Sequence, residues 1–223
     1  MQLDKALDTA FEILDKDTLD EEMIQLYGAQ APVNPIALKN VDKEHIVCIG
    51  EKLLEVLYEM HVYTNLTNNE CAFFLFGEER EDGSIYLDKI VYEKGKSRHC
   101  ANFSSLTPKL SEFINEVEKE NENKKVVAHC HTHGAGVYSD NFSLGDIASY
   151  IIMSDLHPLI RQGVIQTLGC IFNSSGDINF VFYDKKNNEI YKFPNVCVEY
   201  DNGERTVIPA YLKGSYVTSR HGR

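Results

Sequence analysis

The segment ECAFFLFG, residues 70–77, constrains most strongly what this chain can fold into. A short, unbroken apolar run of this kind reads as a strand covered on both faces, so structure must pack above and below it. The turn EDG follows, and SIYLDKIVYEK alternates as its hairpin partner. KKVVAHCHTHG has the β-branched start of another strand. VIQTLGCIFN and INFVFYD, joined by NSSGD, make a hairpin that NNEIYKF continues. HIVCI adds a short strand before these, and NVCVEY-DNGE-RTVIP a last hairpin turning at Asn202-Gly203. Helices are expected over Glu51–His61, after Pro108 with Thr107 as N-cap, from Ser143 through SLGDIASYIIM, and through HPLIRQ. TNLTNN reads as a polar turn. Strand, helix, hairpin, helix, strand, helix, meander is an α+β (mixed α/β) order, with helices packed on a mixed central sheet.

Residues 1–40 stand apart. Leu3, Ala6, Leu7, Ala10, Phe11 and Leu14 recur at helical spacing, LDEEMIQLY follows, and the Gly- and Pro-containing GAQAPVNPIAL reads as a linker. The expected organisation is an N-terminal helical extension and linker over 1–40, a main body over 41–192, and a C-terminal hairpin with a polar, mobile tail over 193–223. The N-terminal helix is expected to pack on the body, with docking of a partner or self-association as its alternative use.

Lys and Arg number 22 against 34 Asp and Glu, a net charge of −12. A field of that sign disfavours nucleic acid and anionic membrane as partners. No apolar run approaches the roughly 18–20 residues that span a bilayer, and the acidic start MQLDKALDTAF does not read as a secretory signal. The six cysteines include no CxxC pair and lie mostly in strand-like runs. They read as free core residues of a reducing, cytoplasmic compartment.

The chemistry concentrates in HTHGAGVYSDNFSLGD. His131 and His133 are two apart at a strand end, so their imidazoles share a face roughly 6–7 Å apart along the backbone. Asp146 follows in the first turn of a helix, and Gly134 and Gly136 give the intervening loop freedom to return to the strand end. Two imidazoles and a carboxylate are the protein's share of a catalytic zinc site with one position open to water. Such a site needs a general base, and Glu70, at the mouth of the buried strand, is the candidate.

At these residues the sequence resembles the JAMM/MPN (JAB/Mov34) metalloprotease family. Its pattern is a glutamate opening a hydrophobic strand that ends in glycine, then His-x-His, then Ser-x-x-Asp. Glu70 to Gly77, His131-Thr-His133 and Ser143-Leu-Gly-Asp146 stand in that order here. The resemblance covers about residues 43–185 and implies a cytidine-deaminase-like sandwich of helices on a mixed sheet. It further implies one catalytic Zn2+ held by His131, His133 and Asp146, with Glu70 as general acid/base on the water and Ser143 stabilising the oxyanion. The implied reaction is hydrolysis of a peptide or isopeptide bond in a protein substrate, such as a ubiquitin-like modifier or a glycine-rich C-terminal extension. Two features differ from the family: the spacer from His133 to Ser143 is longer than usual, and Gly134 replaces a common proline.

Each residue also has a plainer reading. The two histidines can be polar residues at a strand end. Ser143 and Asp146 fit a capping box, and a carboxylate that caps well is not expected to be a good ligand as well. His129 shares the parity of the ligands and reads as packed beside them. Taking His129 and His131 as the pair restores the family spacing to Ser139, but places Phe142 where the acid should be. Glu78, Glu79 and Glu81 rival Glu70, yet read as a solvated turn beyond the strand. Cys130 reads as core, and His99-Cys100, His157 and Cys170 as too isolated for a second metal. A non-catalytic MPN scaffold is the alternative function.

Overall fold

The computed structural model describes all residues except 1–2, 15–17, 35–37, 42–44, 96–100, 120–123, 135–140 and 210–223. His99-Cys100, Gly136, Ser139 and the basic tail therefore lie outside the described residues.

The chain builds one ten-stranded mixed sheet. Its strands in chain order are β1 (Lys39–Asn40), β2 (Val47–Gly50), β3 (Ala72–Glu79), β4 (Ile85–Glu93), β5 (Lys125–Thr132), β6 (Ile165–Phe172), β7 (Ile178–Asp184), β8 (Glu189–Lys192), β9 (Asn195–Glu199) and β10 (Arg205–Pro209). Across the sheet the order is β1-β8-β7-β6-β5-β3-β4-β2-β9-β10. The apolar run expected to be covered on both faces is β3, near the centre, antiparallel to both β4 and β5. β5 and β6 run parallel, which requires a crossover, and helices supply it.

The helices are α1 (Leu3–Ile13), α2 (Glu21–Tyr27), α3 (Glu51–Thr67), α4 (Thr107–Val117), α5 (Leu144–Met153) and α6 (Pro158–Arg161). Successive β3 residues point to opposite faces, and the core divides accordingly. Phe73 and Leu75 pack with Leu53, Leu57 and Met60 of α3, while Phe74 and Phe76 pack with Leu110 and Ile114 of α4. On that second face α1 lies against α5, its fully buried Ala6 and Ala10 allowing close approach. Among the described residues no helix is long and apolar enough to cross a membrane.

Several local expectations are corrected. TNLTNN is not a free turn: α3 runs on to Thr67 and ends at Asn68, whose left-handed φ of 57° caps it. Thr107 is the first residue of α4 rather than its N-cap, and its hydroxyl donates to the Phe103 carbonyl. Glu78 and Glu79 belong to β3 and pair with Lys125 and Lys124 at the end away from Glu70. The cysteine reading fails for one pair. Cys48 and Cys197 form a disulfide, because β9 returns to lie parallel to β2 with these two residues in register. Cys71, Cys130 and Cys170 are free and buried.

Candidate metal centre

Register brings the candidate residues together. Ala72 of β3 pairs with His131 of β5, so the chain just before β3 runs alongside His133. Thr132, between the two histidines, fixes this alignment. Its N–H donates to the Cys71 carbonyl at 3.0 Å, and its hydroxyl oxygen accepts from the Cys71 N–H at 2.8 Å. The Thr132 and Thr64 hydroxyls are 2.6 Å apart, tying the strand end to α3. Glu70 is held from the other side as well. A Cβ on Gly95 would lie 1.7 Å from the Glu70 carbonyl oxygen, so only glycine allows this approach, and the Tyr63 hydroxyl anchors the Gly95 carbonyl at 2.7 Å. At Gly134, where the family commonly has proline, a Cβ would meet the Asn68 side-chain Oδ1 at 2.1 Å, so a larger residue requires that amide to turn aside. The His133 N–H donates to the Phe172 carbonyl at 2.9 Å, which secures the end of β5 against β6.

The three proposed ligands converge. His131 Nε2 lies 2.8 Å from His133 Nε2 and 3.2 Å from Asp146 Oδ1, and His133 Nε2 lies 3.6 Å from Asp146 Oδ2. Ligands at about 2.0–2.1 Å around a tetrahedral ion sit roughly 3.3 Å from one another. The three spacings bracket that value, and the donor set of two imidazoles and a carboxylate suits a divalent cation. The three side chains can hold a metal ion. Among the described residues no other group of Cys, His, Asp or Glu is gathered in this way.

Asp146 and Ser143 form the capping box expected of them, and Asp146 still reaches the histidines. Ser143 Oγ accepts from the Asp146 N–H at 3.2 Å, and Asp146 Oδ2 accepts from the Ser143 N–H at 2.7 Å, so the capping box is complete. Oδ1 still faces His131. Capping and proximity to the histidines therefore coexist in this carboxylate, Oδ2 taking the cap while Oδ1 lies nearest His131. Ser143 caps through a lone pair, which leaves its O–H as a donor towards the cleft.

The electrostatics follow from this packing. Burial disfavours a charge on His131, but the carboxylates of Asp146 and Glu70 outweigh it and raise its pKa above the ordinary value. Burial likewise opposes ionisation of Asp146, yet the two histidines hold its pKa well below the usual carboxylate range. His129 is the opposite case. Burial, reinforced by the neighbouring His131, pushes its pKa down to about 3, so it is neutral. Its ring stacks on Phe103 with centroids 3.8 Å apart, and its Nδ1 has no partner among the described residues. Cys130 points to the other face, where burial and Cys170 raise its thiol pKa well above the ordinary value. His157 caps α6, its Nδ1 accepting from the Leu159 N–H at 3.3 Å.

These residues open on a cleft of ≈ 330 Å³. Glu70, His131, His133, Ser143 and Asp146 all line it, so the five residues singled out in the sequence share one cavity. His129, which the strand parity placed beside them, lines it too, and sequence reasoning missed the rest. Ser149, Tyr150 and Met153 stand one and two turns beyond Asp146 on the same face of α5, and helical periodicity was a sufficient signal for them. Gln30, Ala101 and Phe103 come from irregular segments with no periodic signal. Gln30 ends the 3-10 turn Gly28–Gln30 of the N-terminal extension.

Compared with protein-family models and with curated proteins, the chain matches none.

Proposed function

We propose that this protein is a zinc-dependent hydrolase of peptide or isopeptide bonds, with an MPN-type core. The observation that carries the reading is the gathering of Glu70, Ser143 and the His131–His133–Asp146 triad in one cleft. The order of elements supports it too: a glutamate at the mouth of β3, two histidines at the end of the neighbouring β5, and a serine capping the helix that carries the acid.

His131, His133 and Asp146 would hold the ion. Zinc, when bound, supplies Lewis acidity that brings the pKa of water towards about 7 and polarises a carbonyl. Glu70 accepts the proton of the attacking water as oxygen adds to the carbonyl carbon. It returns that proton to the amine nitrogen as the C–N bond breaks, so one carboxylate serves both halves of the reaction. The Ser143 hydroxyl, whose acceptor side is occupied by the Asp146 N–H, donates to the oxygen that becomes negative in the tetrahedral state. Neutral His129, stacked under Phe103, adds no positive charge behind the ligands.

The test is a panel of quenched fluorescent peptides and lysine-linked isopeptides offered to zinc-loaded protein. Wild type is expected to cleave members of the panel. Glu70→Gln is expected to retain zinc and to cleave at least about 10²-fold more slowly. A Glu70→Gln variant as active as wild type refutes the assignment, and a zinc-replete wild type that cleaves nothing favours the scaffold reading.

A further inference from the structure

The cleft is not uniform along its length. α5 is 10 residues long, about 15 Å, and forms one wall. At its N-terminal end the lining is polar: Gln30, Ser143 and Asp146. Towards its C-terminal end the lining becomes apolar: Ile152 and Met153, with Ala101 and Phe103 packed on the cluster that contains Met153. That end is also pre-formed. Phe103 is clamped by the His129 stack and by Phe74, whose ring centroid lies 5.4 Å away, and Met153 belongs to the core cluster beneath. Tyr150, between the two ends, is fixed by its ring lying over Gly169, where a Cβ would come within 2.2 Å, and by its hydroxyl donating to the Cys170 carbonyl at 3.3 Å.

We propose that the apolar end of this cleft is a subsite for a bulky aliphatic or aromatic side chain on the substrate residue beside the scissile bond. This rests on the hydrolase reading above and gives it a substrate class. A glycine-rich tail, which the family resemblance implies, would leave the half-buried Phe103 and Ile152 uncovered. A leucine-sized side chain would cover them. A pre-formed apolar pocket continuous with the polar groups that orient a ligand is the usual construction of a specificity site. Full burial of a leucine side chain makes a discrimination of about tenfold or more over glycine the expected scale.

Hydroxamates test this without turnover. Zinc-loaded full-length protein is titrated calorimetrically with acetohydroxamate, N-acetyl-glycine hydroxamate and N-acetyl-leucine hydroxamate. The expected result is that all three bind, with the leucine compound about tenfold or more tighter than the glycine compound. Ala101→Leu, which fills the apolar end, is expected to bring that ratio towards one. Equal affinity for the leucine and glycine compounds in wild type, with acetohydroxamate still binding, overturns the subsite and leaves the hydrolase reading standing. Failure of acetohydroxamate to bind removes the metal reading and the subsite with it. The wild-type ratio decides the matter by itself should Ala101→Leu not fold.

Discussion

Asp146 and Ser143 share a capping box, but in the proposed site only Asp146 would be a ligand, and that asymmetry yields a sharp prediction. Ser143→Ala removes the acceptor of the Asp146 N–H and leaves the carboxylate in place. Loss of such a cap costs about 1 kcal/mol, which for a chain of this size lowers Tm by about 2–4 °C. Asp146→Ala removes the 2.7 Å bond to the Ser143 N–H and the oxygen that faces His131. Its metal-free Tm is therefore expected to fall by a similar or somewhat larger amount. The two variants separate when metal is added. At a free zinc concentration about 1,000 times Kd, binding stabilises the folded state by about 4 kcal/mol, a gain of roughly 8–16 °C. Wild type and Ser143→Ala are expected to show that gain. Asp146→Ala, with two ligands left, is expected to gain less than about 2 °C. Thermal unfolding of the three proteins, each stripped with chelator and then titrated with zinc, provides the measurement. A full zinc shift in Asp146→Ala would mean the ion is held elsewhere. Equal loss in both variants would mean that the first turn of α5 has collapsed, and that ligation was not what the substitution removed.

Two further outcomes follow from other parts of the molecule. Gly95→Ala places a Cβ 1.7 Å from the Glu70 carbonyl oxygen, so the two segments must part by more than an ångström. Hydrolysis is expected to fall by about 10²-fold while the zinc-induced Tm gain is unchanged, and a fully active Gly95→Ala protein contradicts this account of how Glu70 is held. Glu199 is 9% exposed and takes two hydrogen bonds from Arg80, at 2.7 and 2.9 Å, and one from Arg205 at 2.7 Å. Its pKa is lowered, chiefly by the Arg80 hydrogen bond. A depressed carboxylate stabilises the fold above its unfolded pKa, near 4.5, and loses that contribution as pH falls through the folded value. Glu199→Gln is therefore expected to cost about 1–2 kcal/mol at pH 7, the two arginines being partly exposed, and progressively less below about pH 4. Urea midpoints at the two pH values measure the difference, and a gap that does not narrow in acid refutes the linkage.

What the sequence made legible was local. His131 and His133 are joined by the two-residue period of a strand, and Asp146 by its place in the first turn of a helix. Neither needed knowledge of the rest of the chain. Glu70 was legible as a candidate because it opens the apolar strand ECAFFLFG and matches the family pattern, while its place beside the end of β5 comes from the sheet register. The disulfide was not legible. Cys48 and Cys197 are 149 residues apart, and only the parallel return of β9 to β2 puts them side by side. Gln30, Ala101 and Phe103 were missed for a related reason: irregular backbone carries no period, so nothing in their spacing says which surface they face.

The N-terminal extension shows how non-local information reaches a site whose motif is local. The N-terminus of α5 exposes backbone groups that need partners, and Ser143 and Asp146 satisfy only some of them. The extension supplies others. The Val33 N–H donates to the Phe142 carbonyl at 2.7 Å and the Leu144 N–H donates to the Ala31 carbonyl at 2.9 Å, so the two bonds bracket Ser143. Gly145 lets the turn come closer still, a Cβ there lying 3.1 Å from the Ala29 carbonyl. On the far side, α1 presses α5 onto the sheet through Ala6 and Ala10. Ser143 and Asp146 are thus positioned by backbone from outside the family pattern, and the same turn that clamps them delivers Gln30 to the polar end of the cleft. A segment that reads as a linker by composition is thus hydrogen-bonded to the start of α5 and contributes Gln30 to the lining of the cleft.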